Sequence, residues 1–287
     1  MIIDLHVHST ASDGTLSPGE VVNQAANASV QIVALTDHDT LDGATEAAPA
    51  AAAVGITLLR AVELNTDASG AEVDILGYFW EEPPDWFQAF LIGRQNDRIR
   101  RAKAIVARLT ELGLPISYAR VRELAHGIVA RPHIAQAMIE RGYVASQREA
   151  YERYIGFGAP AYAERDELDP QTAIAYVQAA GGLAVLGHPG LIGNDDIVEI
   201  VIRAGIDGLE AYYAFHSPEE TARYLAVAQR YDLAVTAGSD AHGPGRKKSR
   251  PIGVPVPDDL WPAFERRLRA AVERQRPRLL RGPRSTG

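Results

Sequence analysis

The 287-residue sequence contains no cysteine. That excludes a disulfide framework, a thiolate metal site and a cysteine nucleophile. Any metal must sit on nitrogen and oxygen donors, which favours zinc, manganese, iron or magnesium. Long hydrophobic runs are also missing. No apolar run approaches ~18 residues, so no membrane span is expected. The chain reads directly into a strand, with no signal-peptide pattern, and a cytoplasmic location is the expectation. Net positive charge is lacking as well: the formal charge is -8. That argues against a broad nucleic-acid-binding surface, and stable DNA binding is not expected. Acids neutralised by a bound metal would make the working charge milder. No internal repeat of solenoid length is evident.

What is present suits an ordinary globular chain. Hydrophobic residues make up 46% and charged residues 23%, enough for one large core or one core with a smaller lobe. Arginine is uneven. Arg94, Arg98, Arg100, Arg101 and Arg108 crowd one segment, and Arg266 to Arg284 is arginine-rich. A solvated helix face and a loose basic tail are the readings.

The stretch Asp4-Leu5-His6-Val7-His8 reads as a short buried strand ending in two histidines. Two apart on a strand, His6 and His8 point the same way and can share an ion. A polar loop through Asp13 follows. Ser17-Pro18-Gly19-Glu20 has the pattern of a capped helix start. Residues 31–36 form a second strand ending in Thr36-Asp37-His38-Asp39, and an alanine-rich helix runs from about Leu41 to Val54. Residues 56–64 form a third strand with Glu63 at its end, and 72–79 a fourth with Asp74 inside it. From about 81 to 164 no convincing strand occurs, only helical pattern. Alternation resumes at Asp169-Pro170. Strands then end at Gly187-His188-Pro189, at Tyr212 and at Gly238-Ser239-Asp240-Ala241-His242, and a last helix runs from about Asp258 to Gln275.

Strand–helix alternation with metal-capable residues at strand ends is the arrangement of a (β/α) barrel, whose strand ends converge on one mouth. The expected fold is α/β, a barrel over 1–80 and 165–256, interrupted by a helical insertion over 81–164. Residues 257–287 add a helix and a basic tail. The candidate metal donors are His6, His8, Asp13, His38, Glu63, Asp74, His188, Asp240 and His242. One buried histidine is commonly a satisfied core residue, but repetition at five strand ends argues for a shared metal centre. Nine donors exceed one ion's needs, so two or three ions are expected, with Glu63 as a bridge.

The order of these motifs, from Asp4-Leu5-His6-Val7-His8 through Thr36-Asp37-His38-Asp39, Glu63 and Gly187-His188-Pro189 to Ser239-Asp240-Ala241-His242, resembles the PHP (polymerase and histidinol phosphatase) phosphoesterase family. The insertion carrying Ala130-Arg131-Pro132-His133 resembles the subgroup with nucleoside 3′,5′-bisphosphate phosphatases and RNase AM enzymes. The resemblance implies a distorted seven-stranded (β/α) barrel of PHP type and manganese, iron or zinc ions. It implies one ion on His6, His8, Glu63 and Asp240, a second on Asp13, His38 and His242, and a third on Glu63 and His188. Several relatives place a histidine where this chain has Asp74. A carboxylate there is harder and adds charge, so two firmly held ions and a weaker or absent third are expected.

Phosphate ester hydrolysis also needs a clamp for phosphoryl oxygens, and Arg131 is the candidate. His133 is a candidate proton donor to the leaving alkoxide, with water as the other source. His216 is a candidate phosphate contact, against a loop histidine bonded to local backbone. Arg246-Lys247-Lys248 reads as a solvated loop or a grip on a second phosphate, and His126 as structural or surface. The expected substrates are 3′,5′-bisphosphonucleotides or the 5′ ends of short RNA. The alternatives are a simple monophosphate such as AMP or histidinol phosphate, an amidohydrolase substrate, or a non-catalytic metal-stabilised module.

Overall fold

The computed structural model describes residues 1–125, 127–164, 167–245 and 250–279. His126, Arg246-Lys247-Lys248 and the end of the basic tail lie outside the described residues. The chain enters through β1 (Ile2–Val7), followed by α1 (Pro18–Asn27), β2 (Ile32–Leu35), α2 (Asp42–Val54) and β3 (Thr57–Ala68). These three strands are parallel neighbours. Ser17 begins α1 as the sequence predicts: its side chain accepts from Glu20 N, and Glu20 reaches back to Ser17 N. All four residues of β2 are buried, as a parallel strand covered on both faces requires.

The third strand runs further than its sequence pattern suggests. It continues to Ala68 because β4 (Ala71–Phe79) zips antiparallel against it, from Arg60 opposite Phe79 to Ala68 opposite Ala71. Ser69 and Gly70, with φ of 50° and 82°, make the two-residue turn. Two left-handed central residues match the right-handed twist of a hairpin. Asp74 therefore sits in the upper half of a descending strand, near the mouth.

Because β4 descends, the insertion starts at the floor of the barrel and not at its mouth. Helix α3 (Asp85–Glu111) has 27 residues, roughly 40 Å at 1.5 Å per residue. Phe87 anchors its start beside Phe79, ring centroids 5.1 Å apart. Halfway along, Arg98 bonds Asp39 and Asn65 at the mouth. The remaining half stands above the barrel. There it carries α4 (Tyr118–Leu124), α5 (Arg131–Glu140), α6 (Gln147–Ala150) and a π-helical turn (Tyr151–Ile155). These pieces share a hydrophobic cluster of their own, including Ile105, Leu109, Val121, Ile134, Met138 and Ile155.

The chain returns through α7 (Pro170–Ala179) to β5 (Leu183–Leu186), antiparallel to β4. Then α8 (Asp195–Arg203), β6 (Gly208–Tyr213), α9 (Pro218–Tyr231) and β7 (Ala234–Gly238) restore the parallel alternation. The free edge of β1 closes the barrel in two parts. At the mouth it meets the chain past β7: His8 N donates to Ala241 O at 2.9 Å and Asp240 N to His6 O at 2.8 Å. Below, Ile2 and Ile3 pair instead with β8 (Val254–Pro255), antiparallel. Among the described residues the result is seven strands round the barrel, as expected, and a two-residue eighth that the sequence did not suggest.

Helix α10 (Leu260–Leu279) plugs the floor. Its Phe264 and Leu268 join Ile3, Leu5, Leu59, Leu76, Tyr78 and Val185 in one buried cluster. Among the described residues no helix is long and apolar enough to cross a membrane. Phe264 is 1% exposed and stands edge-on to Tyr78 at 5.3 Å. Phe264→Ala is expected to remove about 3–5 kcal/mol of stability, read as a lower urea midpoint with an unchanged m-value.

Candidate metal centre

Every barrel strand but β8 delivers polar groups to the mouth, and local irregularities aim them. Pairing between β1 and β2 shifts register between Asp4 and Val7. Leu5 then packs under α10, whereas Val7, two residues on, packs under α1 and α2. A bulge of this kind re-aims side chains beside a site, and here His6 and His8 come to lie among the acids of the mouth. Asp39, His188 and Asp240 have φ of 53°, 27° and 54°. Left-handed backbone at a non-glycine residue costs on the order of 1–2 kcal/mol, so the surrounding bonds must hold these turns. Gly238 meets a different demand. A Cβ there would overlap His6 Cβ and Glu210 Oε1.

Glu63 lies at the centre, 2% exposed. Its Oε1 is 3.3 Å from His188 Nε2 and 3.6 Å from His6 Nε2. Its Oε2 is 3.1 Å from both His8 Nε2 and His38 Nδ1. One carboxylate thus faces two separate groups of imidazoles, the geometry a bridging ligand needs. Asp240 Oδ1 is 3.3 Å from His8 Nε2 and 3.5 Å from both His6 Nε2 and His242 Nδ1. Asp13 Oδ1 lies 3.3 Å from His242 Nε2 and 3.9 Å from both His38 Nε2 and His8 Nδ1.

Three sets of donor atoms fall within 4.8 Å of one another: His8, Asp13, His38 and His242; His6, His8 and Asp240; and His6, Glu63 and His188. The structure thus gathers eight of the nine expected donors into three groups. His8 is shared by the first two, and His6 by the last two. Asp74 belongs to none of the three. Its Oδ2 is 3.7 Å from His188 Nε2, and its Oδ1 accepts from Asn65 Nδ2 at 2.6 Å.

These donors fit divalent cations. His6 Nε2, both ring nitrogens of His8 and His38 Nδ1 are buried without a hydrogen-bond partner among the described residues. Buried polar atoms left this way are costly. Atoms that crowd one point without hydrogen-bond alignment are placed as ligands of a shared cation are.

The electrostatics agree. Burial lowers the basicity of His8, but Asp240 and Glu63 outweigh it and hold the imidazole up at about 10. Burial opposes His188 too, and Glu63 and Asp74 raise it to about 9. Burial pushes Glu63 up, but His38, His6 and His188 hold it well below the carboxylate range. Asp74 is raised to about 6 by burial and by the nearby charge of Glu63. Without a metal, protons on imidazoles must balance the carboxylates; a cation can take their place.

A second layer of buried acids escaped the sequence reading. Glu210, fully buried on β6, lies 3.1 Å from His6 Nδ1 and accepts from His188 N at 2.8 Å. It leaves His6 Nε2 for the centre, as outer-shell carboxylates on ligating histidines do. Asp37 accepts from Ser9 N, Ser9 Oγ and Ser12 Oγ at 2.6–2.8 Å, which holds the loop bearing Asp13. Asp4 accepts from Ser239 N and Gly253 N at 2.9 and 2.7 Å, which holds the turn before Asp240. An acid set between Leu209 and Ala211 in an apolar strand was the available signal for Glu210.

The donors open into a cavity of about 270 Å³ between barrel and lobe. Asp13, His38, Glu63, Asp74, His188, Asp240 and His242 form one wall, and Arg98, Arg101, Arg131 and Tyr151 line the lobe side. Arg98 and Arg101 are therefore not part of a solvated helix face. Arg131 pairs with Glu72 at 3.0 Å, a partner 63% exposed. Such a rim pair is worth ~0–1 kcal/mol and leaves the guanidinium able to take an anion.

Neither His133 nor His216 lines the cavity. His133 Nδ1 accepts from Ala130 N at 3.0 Å, as a cap on α5. His216 Nε2 accepts from Gly190 N at 3.2 Å, and its Nδ1 lies 3.0 Å from Ala211 O. Backbone contacts occupy both ring nitrogens of His216 and leave none for a phosphate.

In metal-free protein the raised basicity of His8 and His188 stabilises the fold below about pH 6.5, their ordinary value, and that contribution is lost as pH rises through 9 and 10. The melting temperature of metal-free protein is expected to fall across this window while metal-loaded protein changes less. Metal affinity should rise with pH, with proton release visible in calorimetry across buffers. A pH-independent gap between the two forms would mean that these imidazoles are not ligands.

Comparison with known proteins agrees with this geometry. Residues 4–239 match the PHP domain. A 5′-3′ exoribonuclease of Haemophilus influenzae is 36% identical over 269 residues, covering 92% of this chain and 98% of that protein. A 3′,5′-nucleoside bisphosphate phosphatase of Chromobacterium violaceum is 31% identical, covering 93% and 97%. A solved structure from Bifidobacterium adolescentis, provisionally named a metal-dependent phosphoesterase, has a TM-score of 0.82 at 29% identity, covering 92% of this chain and 95% of that one. The resemblance carried by the strand-end motifs thus extends along nearly the whole chain, which belongs to the PHP domain family.

Proposed function

We propose that this chain is a metal-dependent phosphoesterase acting on phosphate esters of nucleotides, namely nucleoside 3′,5′-bisphosphates or the 5′ ends of short RNA. The observation that carries the reading is the shared cavity, with metal donors on one wall and arginines on the other. A substrate with a phosphoryl group at its reacting end suits that pairing of charges. An amide substrate has no use for the arginine wall. The relatives named above include a nucleotide phosphatase and an exoribonuclease.

His6, His8, Glu63 and Asp240 would hold one ion, and Asp13, His38 and His242 a second. Glu63 and His188 would reach a third, weaker one, with Asp74 beside it. Manganese is the proposed metal, with iron or zinc as alternatives. Bound divalent ions supply Lewis-acid chemistry, acidifying water towards a pKa of ~7 and neutralising phosphoryl charge. The protein's own groups do the rest. Arg131 orients the phosphoryl oxygens through its planar fork. Glu210 fixes His6, and the Tyr213 hydroxyl, donating to Asp240 Oδ2 at 3.0 Å, fixes Asp240. His133 is held as a helix cap, so we assign the proton for the leaving oxygen to water in the cavity. The lobe over 81–164 and the barrel over 1–80 and 165–256 act as two halves of one site.

Phosphate release from 3′,5′-bisphosphonucleotides, AMP, histidinol phosphate and short 5′-phosphorylated RNA, with manganese added, tests the reading. Bisphosphonucleotides or RNA are expected to give the highest kcat/KM. No turnover of any would favour a non-catalytic module. Arg131→Ala should raise KM about tenfold or more with metal content unchanged; metal loss in that variant would make Arg131 structural. His6→Ala and Asp240→Ala should lose metal by elemental analysis and activity with it.

A further inference from the structure

The lobe stacks two of the arginines that line the cavity on aromatic rings. The Arg131 guanidinium carbon is 5.3 Å from the Tyr151 ring centroid, and that of Arg101 is 5.4 Å from Tyr162. Arg101 lines both the donor cavity and an adjoining hollow of about 240 Å³ beside α3. Beyond Tyr162 stands Phe157, with ring centroids 5.4 Å apart and planes at 71°. Phe157 is 87% exposed.

A single exposed apolar side chain is ordinary on a protein surface. Two observations set this one apart. Its backbone is held: Gly156 N donates to Tyr151 O at 2.9 Å, and Ala161 N donates to Tyr154 O at 2.8 Å. The ring therefore projects from an ordered turn seated on the same π-helical segment that supplies Tyr151 to the cavity. Its position is the second. Phe157 lies two ring contacts from Arg101, a residue that lines the cavity, so it ends a short row running from charged to aromatic. That order matches a nucleotide, which has charge at the phosphate and a flat π face at the base.

We propose that Phe157, backed by Tyr162, is the stacking platform for the nucleobase of a substrate whose phosphate lies at Arg131 and Arg101. The inference rests on the phosphoesterase reading and adds the base-binding subsite. Every base has a π face, so the platform prefers nucleotides over other phosphate esters without discriminating among bases.

The test compares adenosine 3′,5′-bisphosphate with its abasic analogue, identical except for the base. Phe157→Ala is expected to lower kcat/KM for the nucleotide on the order of tenfold and to leave the abasic compound unchanged. Phe157→Trp should restore the nucleotide rate. Its fluorescence, read as the difference from wild type, should be quenched by the nucleotide and not by the analogue. Equal effects of Phe157→Ala on both compounds, or on neither, would overturn the proposal. Should wild type hydrolyse neither compound nor short 5′-phosphorylated RNA, AMP or histidinol phosphate, the phosphoesterase reading fails. The fluorescence titration, which needs no turnover, still decides whether a base stacks on residue 157.

Discussion

Charge balance at Glu63 is the constraint on which the rest of this structure depends. A buried carboxylate with imidazoles on both of its oxygens, and four more acids (Asp13, Asp74, Glu210 and Asp240) within reach of the same rings, is unstable without compensating positive charge. Protons can supply that charge only by occupying the nitrogens that would bind metal. Much of the local architecture follows from keeping these nitrogens aimed at a common point. The register shift in β1 turns His6 and His8 inward, Glu210 takes the far nitrogen of His6, and Asp4 and Asp37 hold the turns that carry Asp240 and Asp13. The left-handed backbone at Asp39, His188 and Asp240 is the conformational cost of bringing strand ends so close.

The reversal at β4 decides the other half of the site. A helix following an ascending strand would start at the mouth and descend along the barrel wall. Starting instead from a descending strand, α3 rises along the wall and overshoots the mouth by half its length. That overshoot suspends Arg131 and Tyr151 opposite the donors and gives Arg98 and Arg101 a cavity wall to line. Arg98 ties the two halves together through Asp39 and Asn65, and Asn65 in turn holds Asp74 beside His188. The lobe therefore bears on the same loops that present the metal donors.

The sequence showed the donors but not their supports. His6, His8, His38, His188 and His242 stand at strand ends in motifs that can be read by eye, because the barrel fold sends those ends to one place whatever lies between them. Glu210 carries the same chemical potential but occurs inside an apolar strand, where one acid has no periodic signature. The arginines of α3 looked like solvated charge because helical periodicity says which residues share a face, not what faces them. His133 and His216 failed as cavity residues for a related reason. His216 is satisfied by the Gly190 amide, which only folding brings close, and His133 by the Ala130 amide at the start of its own helix.

By itself, the sequence determined the kind of chemistry: nitrogen and oxygen donors that fit divalent metal, a barrel to gather them, and an arginine-bearing insertion nearby. Residue types and strand-end positions suffice for this because metal coordination depends on donor atoms, and a parallel strand always delivers its last residues to the same face. Only the tertiary structure decided which donors share a point, that Asp74 stands apart from the three groups, and that the lobe closes over the mouth. Those outcomes depend on the sense of β4, the length of α3 and contacts between residues more than a hundred positions apart, and no local pattern encodes them.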